Sequence, residues 1–292
     1  MENNPPPPKR HPLERPPQPR PEPGPEDQAP RQRVNLRIPS VNPTATYALI
    51  AINVLIFVVR ALSRDLDEQI FLWGANHAPD VLLKGEYYRL FTSMFLHASI
   101  FNPFGGYALQ NSLHLIFNMY ILYAVGTSLE RLFGHTRFLI VYLLGGLAGS
   151  VLSVLLSGPD SYSVGASGAV FAILGGEFIY LYHHRKLMGA AGRARRQSLI
   201  YFGVVNLIFG FASLIPGSEM RVDNWAHIGG LAGGLILSWF ISPILNLRPH
   251  PDHPGEILGE DVNPLGKKYW VVSVYATALV ILVFIGVAIA RR

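Results

Sequence analysis

The sequence predicts an all-α polytopic membrane protein, and three observations carry that prediction. Of its 292 residues 50% are hydrophobic and only 15% are charged, against roughly 25% charged in soluble domains. The first 43 residues hold 14 of the 23 prolines and seven basic residues, so the remaining body is still more apolar than these averages. That body contains seven apolar segments that reach or approach the roughly 18 residues a membrane-spanning helix requires.

In chain order, residues 1–43 ("MENNPPPPKRHPLERPPQPRPEPGPEDQAP…") cannot bury a core and read as an extended, disordered, proline-rich tail. No apolar run begins near Met1, so no cleavable signal peptide is expected. Spans are expected at 45–62, 109–128, 137–157, 165–182, 198–215, 224–245 and 269–290. A long first loop, 63–108, mixes acids with "FLWG" and "RLFTSMFLH", and part of it is expected to rest in the membrane interface. Residues 246–268 read as a linker, and 269–292 as the last span and C-terminus.

The absence of cysteine excludes disulfides and cysteine-ligated metals. A net charge of +5 raises nucleic acid as a partner, but in a membrane protein basic residues mark cytoplasmic loops. The tail and the loops near 131–137, 185–196 and 246–268 carry 17 of the 24 Lys and Arg residues, all on one side of a seven-span chain. The N-terminus is therefore expected in the cytoplasm and the C-terminus outside.

Polar residues at membrane depth are the informative ones, because hydrocarbon excludes them unless they face a protein interior or a water-filled cavity. Span two contains "NSLHLIFNMY", with His114 and Asn118 four apart and so on one helical face. Span four follows "SYSVGASG" and starts near Ser167; span six begins "VDNWAHIGGLAGG" and carries His227. Taken singly, each has a bland reading. Ser167 between glycines suits close helix packing, and His114 with Asn118 suits a hydrogen bond between helices. Spans two, four and six all run in the same direction, however, and bring a hydroxyl, imidazoles and an amide to similar depth near the outer face.

The chemistry of these groups is complementary. A serine hydroxyl becomes a nucleophile when a base takes its proton, and histidine titrates in the right range. Acyl transfer also needs donors aimed at the developing oxyanion. The His114 ring, the Asn118 amide and the Ser167 backbone N–H are the candidates. Gly165 and Gly168 allow close approach of backbone and substrate. Asp223, one turn before His227, reads as a helix N-cap rather than a triad acid. The expected unit is a Ser167–His227 dyad, its imidazole oriented against Phe171.

With these residues the sequence resembles the rhomboid family of intramembrane serine proteases, over about residues 45–245. That family carries Gly-x-Ser-Gly on its fourth helix, matched by Gly165-Ala166-Ser167-Gly168. Its Ala-His-x-x-Gly-x-x-x-Gly on the sixth is matched by Ala226-His227 with Gly230 and Gly234. Its His-x-x-x-Asn matches His114 and Asn118, implying an oxyanion role, and its first-loop acid, aromatic and arginine match Glu86, Tyr88 and Arg89 in "EYYRLFT". The resemblance implies a six-helix bundle, here with one added C-terminal helix. Two departures stand out: Phe171 occupies a position that is often tyrosine, and "ASIFNPFGGYALQNSL" lengthens the first loop.

The function implied is an intramembrane serine endopeptidase that cuts single-span membrane proteins, working without cofactor or metal, in contact with the lipid bilayer and not with nucleic acid. A bacterial cell membrane is the expected setting. A catalytically inactive relative that binds membrane clients is the alternative, although such relatives lack the serine or the histidine. A seven-helix transporter or receptor would not explain Gly-Ala-Ser-Gly together with Ala-His-Ile-Gly-Gly. No His-Glu-x-x-His motif is present for zinc chemistry. Glu177, the single carboxylate deep in a span, is expected to bond between helices, and Glu130 to brace helix ends.

Overall fold

The computed structural model describes residues 35–101, 106–212, 222–253 and 255–292. Most of the proline-rich tail, the centre of the lengthened first loop and the last residues expected of span five lie outside the described residues.

The chain enters through a short strand, β1 (Asn35–Arg37), and then the apolar helix α1 (Thr44–Arg60). The first loop is built of small pieces: α2 (Arg64–Gly74), β2 (Asn76–His77), α3 (Ala78–Leu82) and α4 (Arg89–Thr92). Ser63 starts α2 by accepting the Leu66 N–H at 3.2 Å, with Asp65 and Asp67 in its first turn. Span two is an unbroken helical run of α5 (Ser112–Ile121), a π-helical turn (Leu122–Gly126) and α6 (Thr127–Phe133). Then come α7 (His135–Leu156), β3 (Tyr162–Ser163), α8 (Ser167–His183), α9 (Arg185–Ala212) and α10 (Asn224–Ile241). A hairpin of β4 (Leu245–Pro249) and β5 (Glu256–Asp261) precedes the final helix α11 (Tyr269–Ala290). Among the described residues, the α5–α6 run, α7 and α11 are each long and apolar enough to cross a membrane.

Helices α7, α8 and α10 form the centre, and small residues let them approach closely. A Cβ at Gly145 would meet the Ala172 side chain, and one at Gly149 would stand 2.6 Å from the Ala226 carbonyl oxygen. At Gly230 and Gly234 it would run into the carbonyl oxygens of Gly168 and Ala172. Lipid supplies no hydrophobic drive between helices, so such contact depends on van der Waals packing. Phe138, Val141, Tyr142, Ile173, Leu237 and Ile241 fill the remaining core. Outward faces are the reverse of a soluble protein: Ile208 and Phe209 on α9 and Val274, Phe284 and Ile289 on α11 are all exposed.

Several buried polar pairs tie helix ends. Glu130 accepts from the Ala45 N–H at 2.8 Å, the Thr46 N–H at 2.7 Å and the Thr46 hydroxyl at 2.6 Å, and bonds His135 at 2.5 Å. Glu177 accepts from Ser128 at 3.0 Å and pairs with both arms of Arg195 at 2.8 and 2.9 Å. Both carboxylates thus do what their positions in the sequence suggested.

Four expectations need correction. The fold is not purely helical: β1, β5 and β4 form a three-stranded sheet, with Asn35–Arg37 parallel to Glu256–Leu258. The segment 246–268 is therefore partly a hairpin and not simply a linker, and the end of the expected disordered tail is an ordered strand. The pairing joins residues more than two hundred positions apart, which local periodicity cannot register. Its anchors are Arg37–Glu256 at 2.9 Å and Arg137, which reaches Asp261 at 2.7 Å and the Asn263 carbonyl at 2.6 Å. The fifth helix also starts earlier than expected, at Arg185, and kinks at Gly189, where φ is +52°.

Candidate active site

Ser167 is the first residue of α8, directly after a loop that is held from both sides. β3 pairs antiparallel with β2 (Asn76 with Ser163, His77 with Tyr162), and the Gly165 N–H donates to the Ser93 carbonyl at 2.9 Å. Gly165 has φ +136°, a conformation costly for any residue with a Cβ. A Cβ there would lie 3.0 Å from Cε1 and Nε2 of His114 and 3.7 Å from the Ser167 hydroxyl. The His114 ring and the Ser167 hydroxyl therefore flank the same glycine.

His227 sits in the first turn of α10, which Asp223 caps by accepting the Ala226 N–H at 2.9 Å. The Asp223 carboxylate also accepts from the hydroxyls of Ser153 and, at 3.3 Å, Ser157. It is committed to the helix end and to α7. Nδ1 of His227 is buried and has no hydrogen-bond partner among the described residues. The ring stacks on Phe171, with centroids 4.4 Å apart and planes 11° from parallel. Gly168, next to Ser167, packs on the carbonyl of Ala226, next to His227; a Cβ there would lie 3.3 Å from that oxygen. The two helix starts thus meet at one level.

His114 and Asn118 lie on α5. The Ala98 N–H points to Nδ1 of His114 at 3.4 Å. In a neutral ring this assigns the proton to Nε2, on the edge that faces Gly165. Asn118 donates one N–H to the His114 carbonyl at 2.8 Å, four residues back on its own helix, which leaves its second N–H available.

Glu86 and Arg89 form a separate cluster that braces the first loop. Arg89 bonds Glu86 at 2.5 Å, the Leu72 carbonyl at 2.6 Å and the Ala75 carbonyl at 3.1 Å. Asp80 joins them, 3.6 Å from Arg89, 2.8 Å from Lys84 and 2.9 Å from His77. Burial pushes the Asp80 carboxyl up, but bonds from Lys84 and His77 and the charge of Arg89 outweigh it and hold it below its ordinary value.

The sequence reading missed this Asp80 hub, the buried pair of Arg60 and Asp67 at 2.8 Å, and the bond from Arg60 to the His97 carbonyl at 2.6 Å. For Arg60, the available signal was a cation closing an apolar span with an acid seven residues on. For Ser93, which acts through its carbonyl, the side chain carried no signal. Among the described residues no cluster of three or more His, Asp or Glu side chains could hold a metal ion.

Comparison with known proteins identifies the family. The rhomboid domain matches residues 84–244. The chain is 35% identical over 194 residues to the rhomboid protease GluP of Bacillus subtilis (strain 168), covering 66% of this chain and 34% of that protein. It is 33% identical over 215 residues to RHOMBOID-like protein 4 of Arabidopsis thaliana, covering 72% and 47%. A putative rhomboid protease of Bacillus subtilis (strain 168), YdcA, is 29% identical over 155 residues, covering 53% and 67%. The chain thus spans a third to a half of the length of the first two relatives. With the rhomboid domain matched over more than half its length, this chain belongs to the rhomboid family.

Proposed function

We propose that this protein is an intramembrane serine endopeptidase in which Ser167 is the nucleophile and His227 the base. The observation that carries the reading is the meeting of two helix starts. Gly168 and Gly230 bring the Ser167 end of α8 against the His227 end of α10, and the His114 ring closes the same loop at Gly165. Two relatives bear the name rhomboid protease, one of them as putative, which supports the reading of a protease.

In this mechanism the Ser167 hydroxyl gives its proton to His227 as its oxygen attacks the scissile carbonyl. The oxyanion receives hydrogen bonds from the Ser167 backbone N–H, Nε2 of His114 and the free N–H of Asn118. His227 then protonates the leaving amine, and water repeats the sequence to release the acyl group. Asp223 takes no part, and the Phe171 ring holds the imidazole plane. Ser167 needs an extended peptide, while a membrane helix hides its carbonyls in its own hydrogen bonds. Substrates are therefore single-span proteins with Gly, Pro or polar residues near the end of the span closest to Ser167, cut after a small residue.

Helices α1, α5–α6, α7, α8, α9 and α10 make the six-helix core, α11 is the added seventh span, and the N-terminus is cytoplasmic in a bacterial cell membrane. The test is direct. Ser167→Ala and His227→Ala should each abolish cleavage of single-span substrates by the detergent-purified protein, and the double variant should be no worse than either. A serine-directed fluorophosphonate should label Ser167, and chelators should have no effect. Cleavage retained by Ser167→Ala would overturn Ser167 as the nucleophile, whereas no cleavage by the wild type would leave a client-binding rhomboid protein as the reading.

A further inference from the structure

At the end of α8 remote from Ser167, the chain turns through His184 into the basic start of α9. A cavity of about 250 Å³ opens there, walled by His183, Arg185, Lys186 and Leu187 on one side and by Leu245 and Leu247 of β4 on the other. The two walls are tied together. Nδ1 of His184 bonds the Tyr180 carbonyl at 2.8 Å, and its Nε2 accepts the Leu245 N–H at 3.1 Å.

The lining contains no carboxylate. Asp261, on the neighbouring strand β5, is taken by Arg137 at 2.7 Å. Among the described residues neither Arg185 nor Lys186 has an ion-pair partner.

Beside these cations stands an aromatic group of the kind that marks a bilayer interface. The Arg185 guanidinium lies 4.8 Å over the Tyr182 ring. Tyr182 is 6.1 Å from Trp239, and His183 meets Trp239 edge-on at 5.1 Å. Trp239 is half exposed, and Ile236, one turn earlier on α10 and so nearer the bilayer centre, is equally open. Cations, an aromatic pair and a bare apolar column follow one another at the depth order of a lipid.

We propose that this cavity binds the headgroup phosphate of an anionic glycerophospholipid. Arg185 and Lys186 bond the phosphate oxygens, and an acyl chain lies along Trp239 and Ile236. A free phosphate would use the same two cations, but the apolar column beside them favours a ligand that carries hydrocarbon. The site lies about 25 Å from Ser167, the length of a 17-residue helix, and is separate from the proposed active site.

The experiment titrates the full chain, purified and stripped of lipid in detergent, with phosphatidylglycerol and with phosphatidylcholine, counting bound lipids by native mass spectrometry. The wild type should prefer phosphatidylglycerol. R185Q/K186Q should lose roughly tenfold or more of that preference, because basic residues near a membrane surface contribute individually to anionic-lipid binding. R291Q/R292Q removes the same charge elsewhere and should keep the preference. Inorganic phosphate should fail to displace the bound lipid. Circular dichroism checks the fold of each variant without reference to proteolysis, and the single variants R185Q and K186Q, each with a partial loss, serve if the double variant misfolds. Equal binding of the two lipids, a preference unchanged in these Arg185 and Lys186 variants or lost equally in R291Q/R292Q, or displacement by inorganic phosphate would overturn the proposal.

Discussion

Phe171 and His227 lie ring on ring, their centroids 4.4 Å apart. One turn of α8 separates Phe171 from Ser167, so the helix that presents the hydroxyl also supplies the surface against which the imidazole rests. With Nδ1 of His227 unpartnered among the described residues, the proposed dyad relies on packing for the orienting role that an acid fills in a triad. Phe171→Ala should therefore lower kcat by roughly 10- to 100-fold through loss of alignment, with little change in KM, while Phe171→Tyr should retain most activity. Steady-state kinetics on a single-span substrate distinguishes these outcomes; a large rise in KM alone would move Phe171 to a substrate-binding role.

His114 is expected to act through Nε2, because its Nδ1 faces the Ala98 N–H. Removing one oxyanion donor typically costs about 10²–10³ in kcat. His114→Ala and Asn118→Ala should each fall in that range with substrate binding nearly intact. Single-turnover cleavage beside direct binding of a Ser167→Ala protein carrying the same changes separates the two effects.

The contact between α8 and α10 predicts a different kind of loss. Gly230→Ala would drive a methyl group into the Gly168 carbonyl, which is backbone and cannot rotate away. The helices must separate, and Ser167 and His227 move apart with them. Thermal unfolding should show a loss of the order of 1–3 kcal/mol, and cleavage should be largely abolished. Gly266→Ala, where nothing lies within 4 Å of the added carbon, should change neither.

Orientation follows from the distribution of Lys and Arg. A reporter fused after Arg292 should lie outside the cytoplasm and one fused to the N-terminal tail inside. Protease protection of both fusions checks this, and finding the ends on one side would remove one of the seven proposed spans.

Much of this protein is legible in its sequence because much of it is local. Apolar runs in the sequence overlap α1, the α5–α6 run, α7, α8, α10 and α11, with ends displaced by up to five residues. The position of Asp223 ahead of "NWAH" is enough to identify a helix cap, since a cap acts over three residues. The four-residue interval between His114 and Asn118 places both on one face of α5. Glu177 and Glu130 could be assigned to bonds between elements because a carboxylate at that depth needs a partner.

The rest depends on contacts between distant parts of the chain, which no window of residues contains. Sequence alone determined the membrane class, the family and the candidate groups Ser167, His227, His114 and Asn118. Only the tertiary structure decided that Gly230 meets Gly168 and that the Ser93 carbonyl holds Gly165. It also decided that Glu86 and Arg89 brace the first loop around Asp80, and that Asn35–Arg37 pairs with the hairpin before α11. A helix and its cap arise from backbone hydrogen bonds and side-chain spacing within a few residues. Close approach of two helices, and pairing of a strand with one two hundred residues away, are properties of surfaces that exist only once both elements have formed.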